Sequence, residues 1–199
     1  TEMKSPFHAP IAEQIWDAKY RFKNEDGTPI DITVEDSWRR IAKALASAEG
    51  DNLAPMIEEQ FYKALEDFRF LTAGRITAGA GTGRMVTLFN CYVMGTIPDS
   101  LNGIFDMLKE AALTMQQGGG IGYDFSTLRP KGALVKKLGA DASGPLSFMD
   151  CWDSMCRTIM SAGSRRGAMM GTMRCDHPDI RDFITAKQDS ARLRMFNLS

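Results

Sequence analysis

The sequence lacks the features that would place the protein in a membrane or in a complex with nucleic acid. No run approaches the ~20 consecutive apolar residues that cross a bilayer, and the first residues contain no apolar signal-peptide core. Basic and acidic residues number 24 and 25, so no net field favours an anionic partner. We therefore expect a cytoplasmic protein with neither a membrane nor a nucleic acid as partner.

Cysteine and histidine are also scarce. The four cysteines show no Cys-x-x-Cys spacing, which argues against both a zinc site and a secreted disulfide scaffold. His8 and His177 lie far apart along the chain, so spacing alone suggests no cysteine–histidine dyad. We predict no metal site. Methionine is more abundant, at 13 residues, and most often fills irregular gaps in a core.

Apolar residues at helical spacing predict a helical domain over residues 1–72. Thr33 can cap one helix and Pro55 can open the next. The segment 72–84 is too rich in glycine for a stable helix, and it indicates a domain boundary or a functional loop before a second domain, 73–199. The predicted buried stripes are Trp38, Ile41, Ala42 and Leu45 in the first helix, and Ile57, Phe61, Leu65 and Phe68 in the second.

Strand-like and helix-like segments alternate after the glycine-rich segment. Strands are predicted at 85–94, 121–125, 168–173 and 195–199. Helices are predicted from Asp99 or Ser100 to about Met115, after Pro145, and from Pro178 to about Lys187. This order indicates an α/β domain with largely parallel strands. The predicted inward residues are Ile104, Leu108, Ala111 and Met115, then Phe148, Trp152, Met155 and Ile159, and finally Ile180, Phe183 and Ile184.

Two features near the first predicted strands could carry chemistry. Cys91 lies within the predicted strand 85–94, where a lone cysteine is more often an inert apolar residue than a nucleophile. The glycine cluster at 118–122 could let backbone N–H groups approach a phosphate or sugar, or it could form a tight turn. It matches neither the Walker A pattern nor the G-x-G-x-x-G pattern. Both interpretations stay open for each feature.

Charged residues suggest ligand binding at further positions. Arg165, Arg166 and Gly167 form a loop whose two guanidinium groups could bind phosphate, although a surface ion-pair role is equally open. Asp99, Ser100 and Leu101 begin a predicted helix, where the carboxylate could be a cap or could accept ribose hydroxyls. Arg129 adds a nearby positive charge, which in most proteins belongs to a solvated surface.

Taken in order, the segments of residues 70–199 resemble the catalytic subunit of ribonucleotide reductase, and within it the adenosylcobalamin-dependent type. The ordered set is more specific than any member, whereas the first third carries no decisive motif. The matching segments are Asn90-Cys91-Tyr92, Asp99-Ser100-Leu101, Gly119-Gly120-Ile121-Gly122, Leu128-Arg129-Pro130-Lys131-Gly132, Ser143-Gly144-Pro145, Arg165-Arg166-Gly167-Ala168 and Arg174-Cys175-Asp176-His177-Pro178-Asp179-Ile180.

This resemblance implies a fold and an active site. The fold would be a helical N-terminal domain followed by the first part of a ten-stranded α/β barrel. Cys91 would be one of two thiols that reduce a ribonucleotide and become a disulfide. Asn90 and Cys91 would line the substrate pocket, the backbone at Gly119 would help to hold the nucleotide, and Arg75 lies where the family binds substrate phosphate.

The resemblance also implies regulation and partners. Asp99, Ser100, Leu101 and Arg129 would bind a deoxynucleoside triphosphate effector, at a site completed across a homodimer interface. The loop containing Arg165, Arg166 and Gly167 would connect the effector to the substrate pocket and select the base. The parent enzyme would use adenosylcobalamin and a thioredoxin-like reductant.

The resemblance leads us to expect a fragment, because the family's radical-forming cysteine and most of its cobalamin site belong to later segments. We therefore expect the 199-residue chain to be inactive alone. Two alternatives remain. The parent could be the large subunit of a reductase whose radical comes from a separate subunit, or the chain could be a nucleotide-binding or dimerisation module without catalysis.

Overall fold

The computed structural model describes residues 5–135, 138–160, 167–188 and 191–199, and it contains two compact units that divide between Leu88 and Phe89. The division lies later than the expected position after residue 72. Ile76, Ala80 and Leu88 pack in the helical core, so the glycine-rich segment belongs to the first unit.

The first unit is helical. Thr33 is the N-cap of α2, where its N–H donates to Asp36 Oδ2 at 2.9 Å, and Pro55 lies in the first turn of α3, as predicted. The helices are α1 (Pro10–Ile15), which continues as a π-helical turn (Trp16–Tyr20), α2 (Val34–Ala46), α3 (Ala54–Leu65), which ends in a 3-10 turn (Glu66–Phe68), and α4 (Gly74–Gly79).

Helix α4 contradicts the prediction that the glycine-rich segment forms no helix. Arg40 of α2 explains the difference, because its guanidinium donates to the carbonyls of Thr77 at 3.0 Å and Ala80 at 2.6 Å. Arg40 is itself buried in an ion pair with Asp31 at 2.9 Å. A tertiary contact thus stabilises a short helix that its own sequence disfavours. In α3, the predicted buried stripe was wrong at Phe61, whose side chain is exposed.

The second unit contains a four-stranded parallel sheet in the order β1-β2-β5-β6, which confirms the predicted α/β class. A short antiparallel hairpin, β3 with β4, was not predicted. The elements are β1 (Cys91–Val93), α5 (Leu101–Gln116), β2 (Gly120–Asp124), β3 (Leu134–Val135), β4 (Ala140–Asp141), α6 (Pro145–Met160), β5 (Met169–Thr172), α7 (Ile180–Thr185) and β6 (Phe196–Leu198).

One face of this sheet forms the core with α5 and α6. Side chains alternate along each strand, so Ile121, Tyr123, Met169 and Phe196 are buried there, and the residues between them face the other way. Trp152 of α6 packs edge-on against Tyr123, with ring centroids 5.5 Å apart. The opposite face of the sheet, to which Gly122 and Met170 belong, is the face on which a ligand cleft can form.

Three predicted details of this unit were wrong. Strand β1 starts only at Cys91, because residues 91–93 are those that pair with β2. In α6 the buried face includes Met149 and Cys156, while Phe148, Met155 and Ile159 are only partly buried. Ile184 of α7 is 69% exposed rather than inward. None of the helices in the described ranges is long and apolar enough to cross a membrane.

Candidate functional site

Cys91 lies at the start of an outer strand of the sheet rather than mid-strand, and its side chain is exposed. In the parallel register, Cys91 is the partner of Gly120 on β2. The Gly120 N–H donates to the carbonyl of Asn90 at 2.8 Å, which fixes the backbone that precedes the thiol. The strand pairing therefore sets the position of Cys91 relative to β2.

Glycine at position 120 leaves room for the thiol. A Cβ placed on Gly120 would lie 3.0 Å from Cys91 Sγ and 3.3 Å from the carbonyl oxygen of Ala168. Gly122 has no side chain either, and it pairs with Val93 on one side and with Met170 on the other. We call Gly120 and Gly122 the glycine floor.

A cleft of about 480 Å³ contains Cys91 and extends along the strands over this face. That volume lies in the range of small-ligand sites. Most of its polar side chains come from the strands and their ends. The lining includes Cys91, Asp124, Thr172 and Asn197, together with Val93 and Met170.

Gly119, the expected substrate contact, lies against Thr114 and Tyr92 in the structure. Its N–H donates to the Thr114 carbonyl at 3.2 Å, and the ring of Tyr92 occupies the space that a side chain would need, 2.8 Å from an ideal Cβ. Gly120, one residue further on, is the glycine that borders the thiol. Three glycines follow one another at 118–120, and the sequence does not show which of them lies beside Cys91. Sequence reasoning therefore did not single out Gly120. A substrate contact at Gly119 or Asn90 remains a prediction.

The other cysteines differ from Cys91 in their surroundings. Burial in the core, with a smaller effect from Asp153, raises the pKa of the Cys156 thiol to about 11. Cys151 is half-buried, whereas Cys175 is exposed in the turn after β5. Since thiolate is the reactive form, a buried thiol of high pKa is chemically inert.

We expect a thiol-selective alkylating agent at pH 8 to modify Cys91 and Cys175 in the folded protein and to leave Cys156 unmodified. Exposure gives the reagent access to the first two, while burial and a pKa of about 11 protect the third. Peptide mass spectrometry after timed labelling would measure this. Labelling of Cys156 as fast as Cys175 in the folded state would show that the core described for α6 is wrong.

A second cleft, of about 970 Å³, contains all four expected effector residues, Asp99, Ser100, Leu101 and Arg129. Ser100 caps α5 by accepting the N–H of Gly103 at 3.1 Å, so Ser100 rather than Asp99 is the N-cap. Asp99 instead pairs with Arg129, with Nε and Oδ2 2.9 Å apart. The structure thus brings together residues that are 30 positions apart in sequence.

The chemistry of the second cleft suits a ligand with polar and apolar parts. The Arg129–Asp99 pair is about one-third exposed on each side, so its groups can exchange partners with a ligand at little cost. Hairpin residues Leu134 and Val135 contribute apolar surface to the lining. A carboxylate, a guanidinium and an apolar wall are the groups that a nucleotide's hydroxyls, phosphates and base would contact.

The remaining expected site residues are Arg75, Arg165, Arg166 and Gly167. Arg165 and Arg166 lie outside the described residues, whereas Gly167 is described and its N–H donates to Met160 Sδ. Arg75 lies on α4, within the first unit. Their roles remain predictions. Among the described residues, no group of three or more His, Cys, Asp or Glu side chains could hold a metal ion.

Family models match both units of the chain. Residues 7–85 match the model described as ribonucleotide reductase, all-alpha domain, and residues 89–199 match the model described as ribonucleotide reductase, barrel domain. The chain belongs to the ribonucleotide reductase family. The expected fold, a helical unit followed by the start of the reductase α/β barrel, is thereby confirmed.

Curated ribonucleotide reductases similar to this chain include proteins of two named kinds. The vitamin B12-dependent ribonucleoside-diphosphate reductase of Mycobacterium tuberculosis (strain H37Rv) is 40% identical over 186 residues, covering 91% of this chain and 26% of that protein. Its counterpart in Thermoplasma acidophilum is 34% identical, covering 96% and 24%. Ribonucleoside-diphosphate reductase subunit alpha of Helicobacter pylori (strain 26695) is 31% identical, covering 86% and 21%. The chain spans about a quarter of the length of these relatives.

Proposed function

We propose that this chain is the N-terminal part of a vitamin B12-dependent ribonucleoside-diphosphate reductase, in which Cys91 supplies one of the two reducing thiols. The observation that carries the proposal is the exposed Cys91 thiol over the glycine floor, in the unit that matches the reductase barrel. An inert structural cysteine would need neither exposure nor the clearance that Gly120 provides.

The proposed reaction replaces the 2′-hydroxyl of a ribonucleotide by hydrogen. Two thiols are oxidised to a disulfide, the ribose carbon is reduced, and the hydroxyl leaves as water with a proton. Cys91 would supply one thiol. Cys156 does not qualify as the second because it is buried and its pKa is raised to about 11. By family resemblance, the second thiol and the radical-forming cysteine belong to later segments of the parent protein.

The substrate would lie in the cleft that contains Cys91. Gly122 lines this cleft and Gly120 lies beside the thiol, and neither glycine presents a side chain that would hinder the approach of a ribose to the thiol. We retain Asn90 and the Gly119 backbone as proposed substrate contacts and Arg75 as a proposed phosphate ligand. The residues that the structure adds to this proposal are the two glycines of the floor.

Adenosylcobalamin would supply the radical to the parent enzyme. The barrel unit offers no free histidine ligand for cobalamin among its described residues, because both ring nitrogens of the buried His177 are hydrogen-bonded within the protein. We therefore assign no residue of this chain to the cofactor and derive no step through it. Support for cobalamin dependence comes from the names of the relatives that are 40% and 34% identical.

The second cleft is the proposed effector site. Asp99, Ser100, Leu101 and Arg129 would bind a deoxynucleoside triphosphate, and the loop with Arg165, Arg166 and Gly167 would select the substrate base. We further propose a homodimer, a thioredoxin-like reductant and a cytoplasmic location for the parent, all on the basis of family resemblance.

The proposal is tested by assaying the full-length protein for conversion of cytidine diphosphate to its deoxy form. We expect turnover that requires adenosylcobalamin and a dithiol and needs no second protein. Activity that depends on a separate subunit and does not require cobalamin would contradict cobalamin dependence. The similarity to the Helicobacter pylori subunit alpha favours this two-subunit alternative. Nucleotide binding without any reduction would instead indicate a non-catalytic module.

A further inference from the structure

A buried histidine lies between the second cleft and the end of β5. His177 is 8% exposed, and its Nδ1 accepts the backbone N–H of Asp179 at 3.0 Å. Because a backbone N–H can only donate, Nδ1 is the acceptor in this contact. The proton is therefore on Nε2, which donates to the carbonyl of Leu128 at 2.8 Å.

Two more hydrogen bonds join the turn at 174–179 to the segment 126–131. The buried carboxylate of Asp179 accepts the N–H of Lys131 through Oδ2 at 2.9 Å. Ser126 Oγ accepts the N–H of Arg174 at 2.7 Å. The turn at 174–179 thus holds the segment 126–131 at three points, two of which flank Arg129.

Arg129 depends on this backbone for its position in the second cleft. Its side chain is 37% exposed, so surrounding atoms fix it less than they would fix a core residue. Its N–H and Nε both donate to the carboxylate of Asp99, at 3.3 and 2.9 Å. Both contacts require the backbone between residues 128 and 131 to keep its path.

We propose that His177 is a positioning residue that holds Arg129 in the second cleft. The proposal rests on the proposed effector site. It assigns a function to a residue that the sequence motifs included only as a member of a matching segment. The contact that matters is the one from Nε2 to Leu128, because it acts on the residue that precedes Arg129.

Two substitutions separate the two ring contacts. His177→Asn places an amide oxygen near the position of Nδ1, where it can accept the Asp179 N–H, and it loses the Leu128 contact. His177→Gln reaches the position of Nε2 and can donate to Leu128. We expect deoxynucleoside triphosphate binding to the full-length protein to weaken about tenfold in His177→Asn and to stay near wild type in His177→Gln.

The measurement is calorimetric titration of each variant with each of the four deoxynucleoside triphosphates, alongside its melting temperature. Equal affinities in the two variants, at comparable melting temperatures, would overturn the positioning role and leave His177 with a purely structural one. His177→Ser gives a second reading if His177→Asn does not fold, because a serine hydroxyl can accept the Asp179 N–H two residues on but cannot reach the Leu128 carbonyl. A comparable loss of affinity supports the proposal there, and unchanged affinity overturns it.

Arg129→Ala distinguishes failure of this proposal from failure of the effector site. If Arg129→Ala binds the triphosphates as well as wild type, the proposed effector site is wrong, and positioning of Arg129 by His177 has no function in binding. If Arg129→Ala loses binding while His177→Asn keeps it, only the positioning role is wrong. Neither titration depends on turnover, so a failure of the reductase proposal at Cys91 would leave both results interpretable.

Discussion

Replacing Cys91 by serine in the full-length protein is expected to lower kcat/KM for cytidine diphosphate reduction by about a thousandfold or more. Such a loss corresponds to about 4 kcal/mol of transition-state stabilisation. Serine preserves the size and hydrogen bonding of the side chain, but its hydroxyl cannot form the disulfide that accompanies reduction of the ribose. Since Cys91 is exposed, we expect the substitution to leave the melting temperature nearly unchanged.

Cys175→Ser is the matched control, because it makes the same change at the other exposed thiol. We expect the control to retain full turnover. Multiple-turnover assays with a dithiol reductant would measure both variants. Wild-type turnover in Cys91→Ser would refute the redox role of this residue and would favour a nucleotide-binding module, which has no need of the thiol.

The alternation of strands and helices was predictable because parallel strands with covered faces are apolar and are separated by amphipathic helices. The exact extent of β1 was not predictable. The apolar run 85–94 is longer than the strand, since only residues 91–93 pair with β2, and Met85 and Phe89 are exposed. The length of a strand is set by its partner, which local sequence does not describe.

Helix α6 shows the same limit for a buried face. The predicted stripe and the observed one share Trp152, but the core lies on the side of Met149 and Cys156. Apolar residues surround much of this helix, so spacing alone allows neighbouring faces. The sheet residues that pack against Trp152, including Tyr123, select the face that is buried.

The second cleft contains residues that the sequence predicted and depends on one that it did not. Asp99 follows β1 and Arg129 follows β2, and the carboxyl ends of adjacent parallel strands lie close together, so the two residues meet. Motif resemblance identified both. It did not identify His177, because the contacts of its two ring nitrogens are with Leu128 and Asp179, and the first of these is 49 positions away in sequence.

Gly120→Ala in the full-length protein is expected to lower kcat/KM by about a hundredfold, because misplacement of a reacting group by about 1 Å can have an effect of this size. The new Cβ would lie 3.0 Å from Cys91 Sγ, which is closer than most side chains approach one another. Backbone oxygens of Ala168 and Asn90, at 3.3 and 3.4 Å, prevent the methyl group from moving aside. The thiol would therefore have to rotate away from its position over the cleft.

Gly122→Ala makes the same change on the same strand and toward the same side of the sheet. The nearest neighbour of the new Cβ would be Met170 Cβ at 3.7 Å, which is an ordinary van der Waals distance. The Cys91 thiol should therefore keep its position in this variant. We expect a smaller loss of turnover in this variant, because its only effect would be a methyl group added to the lining of the cleft. The rate of Cys91 alkylation reports the accessibility of the thiol directly. This rate should change more in Gly120→Ala than in Gly122→Ala. Equal effects of the two substitutions on turnover and labelling would mean that Gly120 does not position Cys91.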